Sequence, residues 1–160
     1  MDISKKILIV LPHLDDEFAL VPLIKSITKY NSKKLKIIYC AERIFDSEEK
    51  KRQRRSESIS ALKLLGCQKE NISYLNDIFE VKDLKLSASS KNIYEHIERL
   101  YIEENFNHII TLNFEGGHPD HDTLALIVDK FAKAYNVTPS YIPAYNYRKT
   151  LFIPISVFGP

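Results

Sequence analysis

The chain has 160 residues, of which 44% are hydrophobic and 28% are charged. This composition is ordinary for a globular domain large enough to bury a core. The formal net charge of +2 gives no strong field for binding nucleic acid or an anionic membrane. We therefore expect one domain over residues 1–160 that does not bind nucleic acid.

The cysteines and the N-terminal segment indicate the cellular compartment. Cys40 and Cys67 are the only cysteines, without the pairing pattern of a disulfide-rich secreted domain. A charged cluster ends the first apolar run, which is too short for a signal core or a membrane span. These features predict a cytoplasmic protein. Residues 151–160 are apolar, so they either pack into the core or belong to a longer protein.

Apolar runs alternate with amphipathic segments along the chain. The predicted strands are Lys6–Leu11, Leu35–Cys40, Ile72–Leu75, His108–Leu112 and Tyr141–Tyr145. The predicted helices are Glu17–Tyr30, Ser47–Leu65, Ser90–Asn105 and Pro119–Tyr135. This alternation predicts a Rossmann-like three-layer α/β/α domain with a mostly parallel sheet.

The sequence also predicts where Pro22 lies in the first helix and which side of the second helix faces the core. Pro22 must lie in the first turn of its helix or kink it. In the second helix Ile59, Leu62, Leu64 and Leu65 are predicted to face inward, and Gly66 to end the helix.

The first polar cluster, Pro12–Glu17 (PHLDDE), directly follows the first strand. An imidazole and three carboxylates at the end of a buried strand are costly unless they are solvated, paired or bound to a metal. The alternative is that Asp15 or Asp16 caps the next helix and His13 lies at the surface.

The second cluster, residues 116–122 (GGHPDHD), follows the fourth strand. Gly-Gly turns and helix-initiating Pro-Asp pairs are common, so this segment alone is only moderately specific. Three of the five histidines, however, lie in the two clusters. The other two, His96 and His108, have no acidic cluster beside them and are interpreted as structural.

Parallel strands place their carboxyl ends at one edge of a sheet, where ligands bind. Neighbouring strands would thus bring both clusters together, giving two imidazoles and a carboxylate around one ion. Such a set with an open fourth position is typical of catalytic zinc.

The motifs PHLDDE and GGHPDH, in this order, resemble the PIG-L (LmbE-like) zinc-dependent N-deacetylases, which act on N-acetylglucosaminyl compounds. A weaker match is Arg54-Arg55-Ser56-Glu57 with Leu65-Gly66, which resembles the family's Arg-x-x-Glu helix. The resemblance implies one deacetylase domain over residues 1–160, shortened at its C-terminus relative to the family. It also implies a Zn²⁺ cofactor and a small N-acetylated sugar conjugate as substrate.

The resemblance also implies roles for individual residues. The metal ligands would be His13, Asp16 and His121. Asp15 would be the general base, and a protonated His118 would stabilise the oxyanion. Glu17 and Asp120 would orient the ligands or the neighbouring backbone.

Two further positions belong to the resemblance. Arg54 would meet the sugar or a phosphate of the substrate, or would pair with Glu57 on the helix surface. Leu14 stands where the family usually has proline, a change that removes no polar group of the motif.

Two other functions fit parts of the sequence. A phosphoacceptor receiver domain also has an acidic pair after its first strand, but histidines are poor ligands for Mg²⁺. The second alternative is a catalytically silent sugar-binding module of the same fold. The intact set of predicted metal ligands argues against it.

Overall fold

The computed structural model describes residues 6–43, 46–144, 147–150 and 153–156. The strands are β1 (Ile7–Leu11), β2 (Leu35–Tyr39), β3 (Ile72–Tyr74), β4 (His108–Leu112), β5 (Ser140–Ile142), β6 (Tyr147–Thr150) and β7 (Ile153–Ser156). The α-helices are α1 (Val21–Asn31), α2 (Glu48–Leu64), α3 (Ser90–Glu103) and α4 (Pro119–Tyr135). The five predicted strands and four predicted helices are therefore all present, with ends shifted by a few residues.

The first five strands form one parallel sheet in the order β3-β2-β1-β4-β5. β6 and β7 form a separate antiparallel pair. Tyr145 of the predicted fifth strand, and residues 151, 152 and 157–160 of the apolar end, lie outside the described residues.

Two hydrophobic cores cover the two faces of the parallel sheet. Residues of α1 and α2 pack with one set of strand side chains, and residues of α3 and α4 pack with the alternating set. The predicted three-layer α/β/α architecture is thus confirmed. No helix of the described chain is long and apolar enough to cross a membrane.

Local sequence explains most of the helix ends. Pro22 lies in the first turn of α1, as expected, because its missing N–H costs nothing there. The Ser47 side chain accepts a hydrogen bond from the Lys50 N–H at the start of α2. Gly66 follows α2 with φ of 93°, a conformation that favours glycine.

One predicted core position is wrong. Leu64 is 82% exposed, whereas Leu62 is fully buried. Leu62 and Leu64 are two positions apart, which places them about 200° apart around the helix axis, so both cannot face the core. The buried position one turn before Leu62 is Ser58, a polar residue that the apolar pattern did not identify.

Candidate active site

The topology places both polar clusters beside each other. β1 and β4 are neighbours in the centre of the sheet, and the chain leaves them towards opposite edges. A crevice forms at such a switch point, outside the carboxyl ends of the strands. Residues 12–17 follow β1, and residues 116–122 follow β4 and begin α4, so the two clusters flank this crevice.

Asp16 lies between the two predicted imidazole ligands. Its Oδ2 is 3.5 Å from His13 Nδ1, and its Oδ1 is 3.3 Å from His121 Nε2. The His13 backbone N–H also donates to Asp16 Oδ2 at 2.8 Å. The structure thus brings His13, Asp16 and His121 into direct contact across the crevice.

The opposite nitrogen of His13 meets two further carboxylates. His13 Nε2 lies 3.0 Å from Asp120 Oδ2 and 3.2 Å from Asp83 Oδ1. Asp120 is almost fully buried and accepts backbone N–H groups from Leu84 at 2.7 Å and Leu86 at 3.0 Å. The loop before α3 therefore fixes Asp120, and Asp120 fixes the ring of His13.

The protonation of these groups follows from the contacts. Burial lowers the pKa of His13, but its hydrogen bonds to Asp120 and Asp16 outweigh burial and raise the pKa to about 9. Burial raises the pKa of Asp16, but hydrogen bonds from His121 and His13 outweigh it and lower the pKa to about 2. Both shifts favour an ionised Asp16 carboxylate beside a protonated His13 imidazole, and a metal ion bound by these residues would displace the imidazole proton.

His118 caps α4 and also borders the crevice. Its Nδ1 accepts the Asp120 N–H at 3.2 Å, and its ring centroid lies 4.9 Å from that of His13 and 4.7 Å from that of His121. Burial, followed by the charges of His13 and His121, lowers the pKa of His118. Because Nδ1 accepts the Asp120 N–H, the other ring nitrogen, Nε2, carries the ring proton.

Asp15 lies at the surface of the same segment. Its backbone has φ of 81°, in the left-handed region, and its side chain is 69% exposed. It makes no side-chain cap hydrogen bond to the following turn. Partial desolvation and then the charge of Asp16 raise the pKa of Asp15, and Arg43, Arg54 and His13 oppose this shift.

Arg54 turns towards the crevice rather than towards Glu57. Its Nε forms an ion pair with Asp46 at 2.7 Å, and Nη1 lies 3.8 Å from Asp15 Oδ2. Glu57 instead accepts a hydrogen bond from Gln53 at 2.8 Å. The contacts of Arg54 are therefore with Asp46 and Asp15, and not the surface pair with Glu57 that was the alternative.

The remaining polar residues of the clusters have structural contacts. Glu17 is buried and accepts a hydrogen bond from Ser58 at 2.7 Å, so it joins the first cluster to α2. Asp122 accepts N–H groups from Glu115 and Gly116, which closes the loop before α4. Leu14 is buried in the core on the α1 and α2 side of the sheet, where it anchors the turn.

The two other histidines lie in structural surroundings. His96 is buried on α3, beside Arg99 and edge-on to Phe79. His108 lies 3.0 Å from the Ser140 hydroxyl, across the β4–β5 pair. These contacts agree with the structural interpretation of both residues.

Asp83 is the site residue that the sequence did not indicate. It lies in a loop without periodicity, between lysines at positions 82 and 85. An isolated bridge between Glu42 and Lys82 holds that loop beside the end of β2. Tertiary contacts, namely this bridge and the hydrogen bonds of Leu84 and Leu86 to Asp120, bring Asp83 to His13, so no local signal could have revealed it.

The donor set fits a zinc ion. Zinc bonds of about 2.0–2.2 Å place ligand atoms of a tetrahedral site roughly 3.3 Å apart, close to the two separations that Asp16 makes. The three imidazoles of His13, His118 and His121 also present ligand atoms within 4.8 Å of one another. His13, Asp83 and Asp120 form a second group of this kind, in which the Asp120 oxygens also accept the backbone N–H groups of Leu84 and Leu86.

Sequence and structure comparisons agree with this architecture. The family model described as "PIG-L: GlcNAc-PI de-N-acetylase" matches residues 8–132. The chain belongs to this family. No curated protein gives a significant match to it.

Solved structures with the same fold include deacetylases. The N,N'-diacetylchitobiose deacetylase from Pyrococcus horikoshii aligns with 21% identity and a TM-score of 0.57, over 81% of this chain and 49% of its own. The A40926 pseudoaglycone deacetylase Dbv21 aligns with 20% identity and a TM-score of 0.64, over 84% of this chain and 62% of its own. The chain therefore spans about half to three fifths of these relatives.

The Leu84 and Leu86 N–H groups form a backbone clamp on Asp120, which in turn contacts His13. This arrangement gives a first prediction. A carboxylate that holds the second nitrogen of a histidine ligand typically improves metal affinity 10- to 100-fold. We expect Asp120→Asn to weaken zinc binding by that factor, measured by competition with a chromophoric chelator. Asp83→Asn is the matched control and should have a smaller effect, because Asp83 touches the same nitrogen without the backbone clamp. Equal zinc affinity in wild type and Asp120→Asn would contradict this role.

Proposed function

We propose that the protein is a zinc-dependent hydrolase that removes the N-acetyl group from an N-acetylglucosaminyl-type sugar conjugate. The observation that carries the proposal is the position of Asp16, a partly buried carboxylate with a lowered pKa that lies between His13 and His121 at the switch point of the sheet. His13, Asp16 and His121 would hold the metal. The description of the matching family, and the deacetylase activities after which the two relatives are named, support the reaction class and the sugar.

Each residue of the site would have its own role in the hydrolysis. Zinc, when bound, supplies a Lewis acid and lowers the pKa of water. Asp15 accepts the proton of the attacking water, because it is an exposed carboxylate beside the ligands. The neutral His118 ring donates from Nε2 to the developing oxyanion, since its Nδ1 is occupied by the Asp120 N–H. The water oxygen bonds to the carbonyl carbon, the C–N bond breaks, and the proton held by Asp15 passes to the leaving nitrogen, which gives acetate and a free amine on the sugar.

Arg54 would bind the substrate at the edge of the crevice. Its guanidinium is held by Asp46 and approaches Asp15, so a hydroxyl or phosphate of the sugar conjugate that enters the crevice would meet it. Asp120 would act through His13, by holding the tautomer whose Nδ1 faces Asp16.

Metal analysis combined with acetate release tests the proposal. We expect about one zinc per chain, and metal-dependent acetate release from a panel of N-acetylglucosamine conjugates. His13→Ala and Asp16→Ala should each lower zinc occupancy sharply, whereas His108→Ala, which removes an imidazole far from the crevice, should not. Full zinc content in the His13→Ala, Asp16→Ala double variant would overturn the ligand assignment. Sugar binding without acetate release would indicate a catalytically silent module instead.

A further inference from the structure

Arg55 joins helix α2 to the ends of two strands of the sheet. Its Nε and Nη2 atoms donate to the two carboxylate oxygens of Glu42, which follows β2, at 2.6 and 3.0 Å. Its Nη1 and Nη2 atoms lie 3.1 and 2.8 Å from the two oxygens of Asp77, in the 3-10 turn that follows β3. The guanidinium therefore contacts both oxygens of each of two carboxylates.

An aromatic ring also holds Arg55 in place. Its Cζ lies 4.2 Å from the centroid of the Tyr74 ring, which is buried and stacked on Tyr39. A guanidinium that lies over an aromatic ring and makes a two-bond contact with a carboxylate has little freedom to turn. The Glu42 side chain is only 9% exposed, so loss of Arg55 would leave a buried carboxylate without its charge compensation.

Glu42 connects this contact to the candidate active site along the backbone. It forms an isolated parallel bridge with Lys82, the first residue of the segment 82–86. Two backbone N–H groups of that segment form the clamp on Asp120, and Asp120 contacts the ring of His13. The contacts thus run from α2, through Glu42 and the segment 82–86, to a proposed metal ligand.

The segment 82–86 needs support because its backbone is strained. Leu84 has φ of 63°, in the left-handed region that leucine rarely adopts. A residue in this conformation persists only where the surrounding contacts hold it. Leu86 is buried in the core and anchors one end of the segment. The bridge to Glu42 holds the other end.

We infer that Arg55 is a positioning residue of the candidate active site. It acts through Glu42 and the segment 82–86 on Asp120, and through Asp120 on the His13 ring. The part of this inference that concerns zinc rests on the proposed function. The effect on the segment 82–86 is a property of the metal-free chain, so it can be measured without metal or turnover.

Hydrogen exchange of the metal-free, full-length chain tests the first part of this route. We expect Arg55→Gln to accelerate exchange of the Leu84 and Leu86 amides about tenfold, since a hydrogen bond to a charged group is worth at least that factor. The amides of β1 and β4 should keep their wild-type rates. Arg52→Gln, the same change at an exposed position of α2, is the matched control and should alter none of these rates.

Two results of this exchange experiment would overturn the inference. One is wild-type protection of the Leu84 and Leu86 amides in Arg55→Gln. The other is an equal acceleration in β1 and β4, which would show that Arg55 contributes only to global stability. If Arg55→Gln does not fold, Glu42→Ala breaks the same contact without leaving a buried charge. It should expose the same two amides, and wild-type protection in that variant would also overturn the inference.

Zinc affinity, measured by chelator competition, tests the second part of the route. Arg55→Gln should weaken zinc binding about three- to tenfold, less than Asp120→Asn, because it acts through Asp120. In the Asp120→Asn background, Arg55→Gln should have no further effect. Additive effects of the two changes, or unchanged affinity in Arg55→Gln, would overturn the inference. Faster exchange at Leu84 and Leu86 in a chain that binds no zinc and releases no acetate would overturn the proposed function but support the positioning role.

Discussion

Asp15→Asn should retain zinc and lose about 10²- to 10⁴-fold in turnover, the usual contribution of a general base. That loss corresponds to roughly 3–5 kcal/mol of transition-state free energy. Asparagine is the appropriate replacement because Asp15 has φ of 81° and asparagine tolerates the left-handed region almost as well as aspartate. The fold and the metal site should therefore stay intact while the proton acceptor is lost. Steady-state acetate release and metal content, measured on the same sample, check both parts.

Two further Asp→Asn variants distinguish a general base at Asp15 from a metal ligand and from a surface carboxylate. Asp16→Asn should lose zinc, because Asp16 contacts both ligand imidazoles. Asp129→Asn, at a surface ion pair on α4, should change neither zinc content nor turnover. If Asp15→Asn loses zinc and the remaining holoenzyme turns over at the wild-type rate, Asp15 and Asp16 have been assigned each other's roles.

The sequence predicted the sheet and both halves of the site for a common reason. Long apolar runs such as KILIVL are typical of strands buried on both faces, and polar side chains directly after them must lie at a strand end. Those two facts place His13 and His121 at the same edge of the sheet. That β1 and β4 are neighbours is a property of the crossovers, and periodicity along the chain does not encode it.

The residues that the sequence missed depend on tertiary contacts. Asp83 reaches His13 because a loop without regular pattern crosses the end of β2. Ser58 lies in the core because its hydroxyl is paired with Glu17 and Tyr39, which makes a polar residue acceptable at a buried position. Leu64 was misplaced because an apolar residue at the end of a helix need not face the core.

The protonation state of His118 depends on contacts between elements that are distant in the sequence. The resemblance implied a charged ring at this position, and a charge would suit an oxyanion. In the structure, His118 Nδ1 accepts the Asp120 N–H, and burial, followed by the charges of His13 and His121, lowers the pKa of the ring, so these contacts favour the neutral form. A neutral imidazole can still stabilise an oxyanion, because its Nε2–H is directed by the bond at Nδ1.

His118→Ala should lower kcat by about 10²- to 10³-fold, as the loss of one oxyanion donor does, while zinc content stays near one per chain. The variant also removes the cap of α4, which costs about 1 kcal/mol of stability. His118→Ser separates these effects: the serine hydroxyl can accept the Asp120 N–H and restore the cap, but it provides no imidazole donor. We therefore expect wild-type thermal stability together with the same loss of turnover in His118→Ser. Recovery of wild-type turnover in that variant would show that His118 serves only to begin the helix.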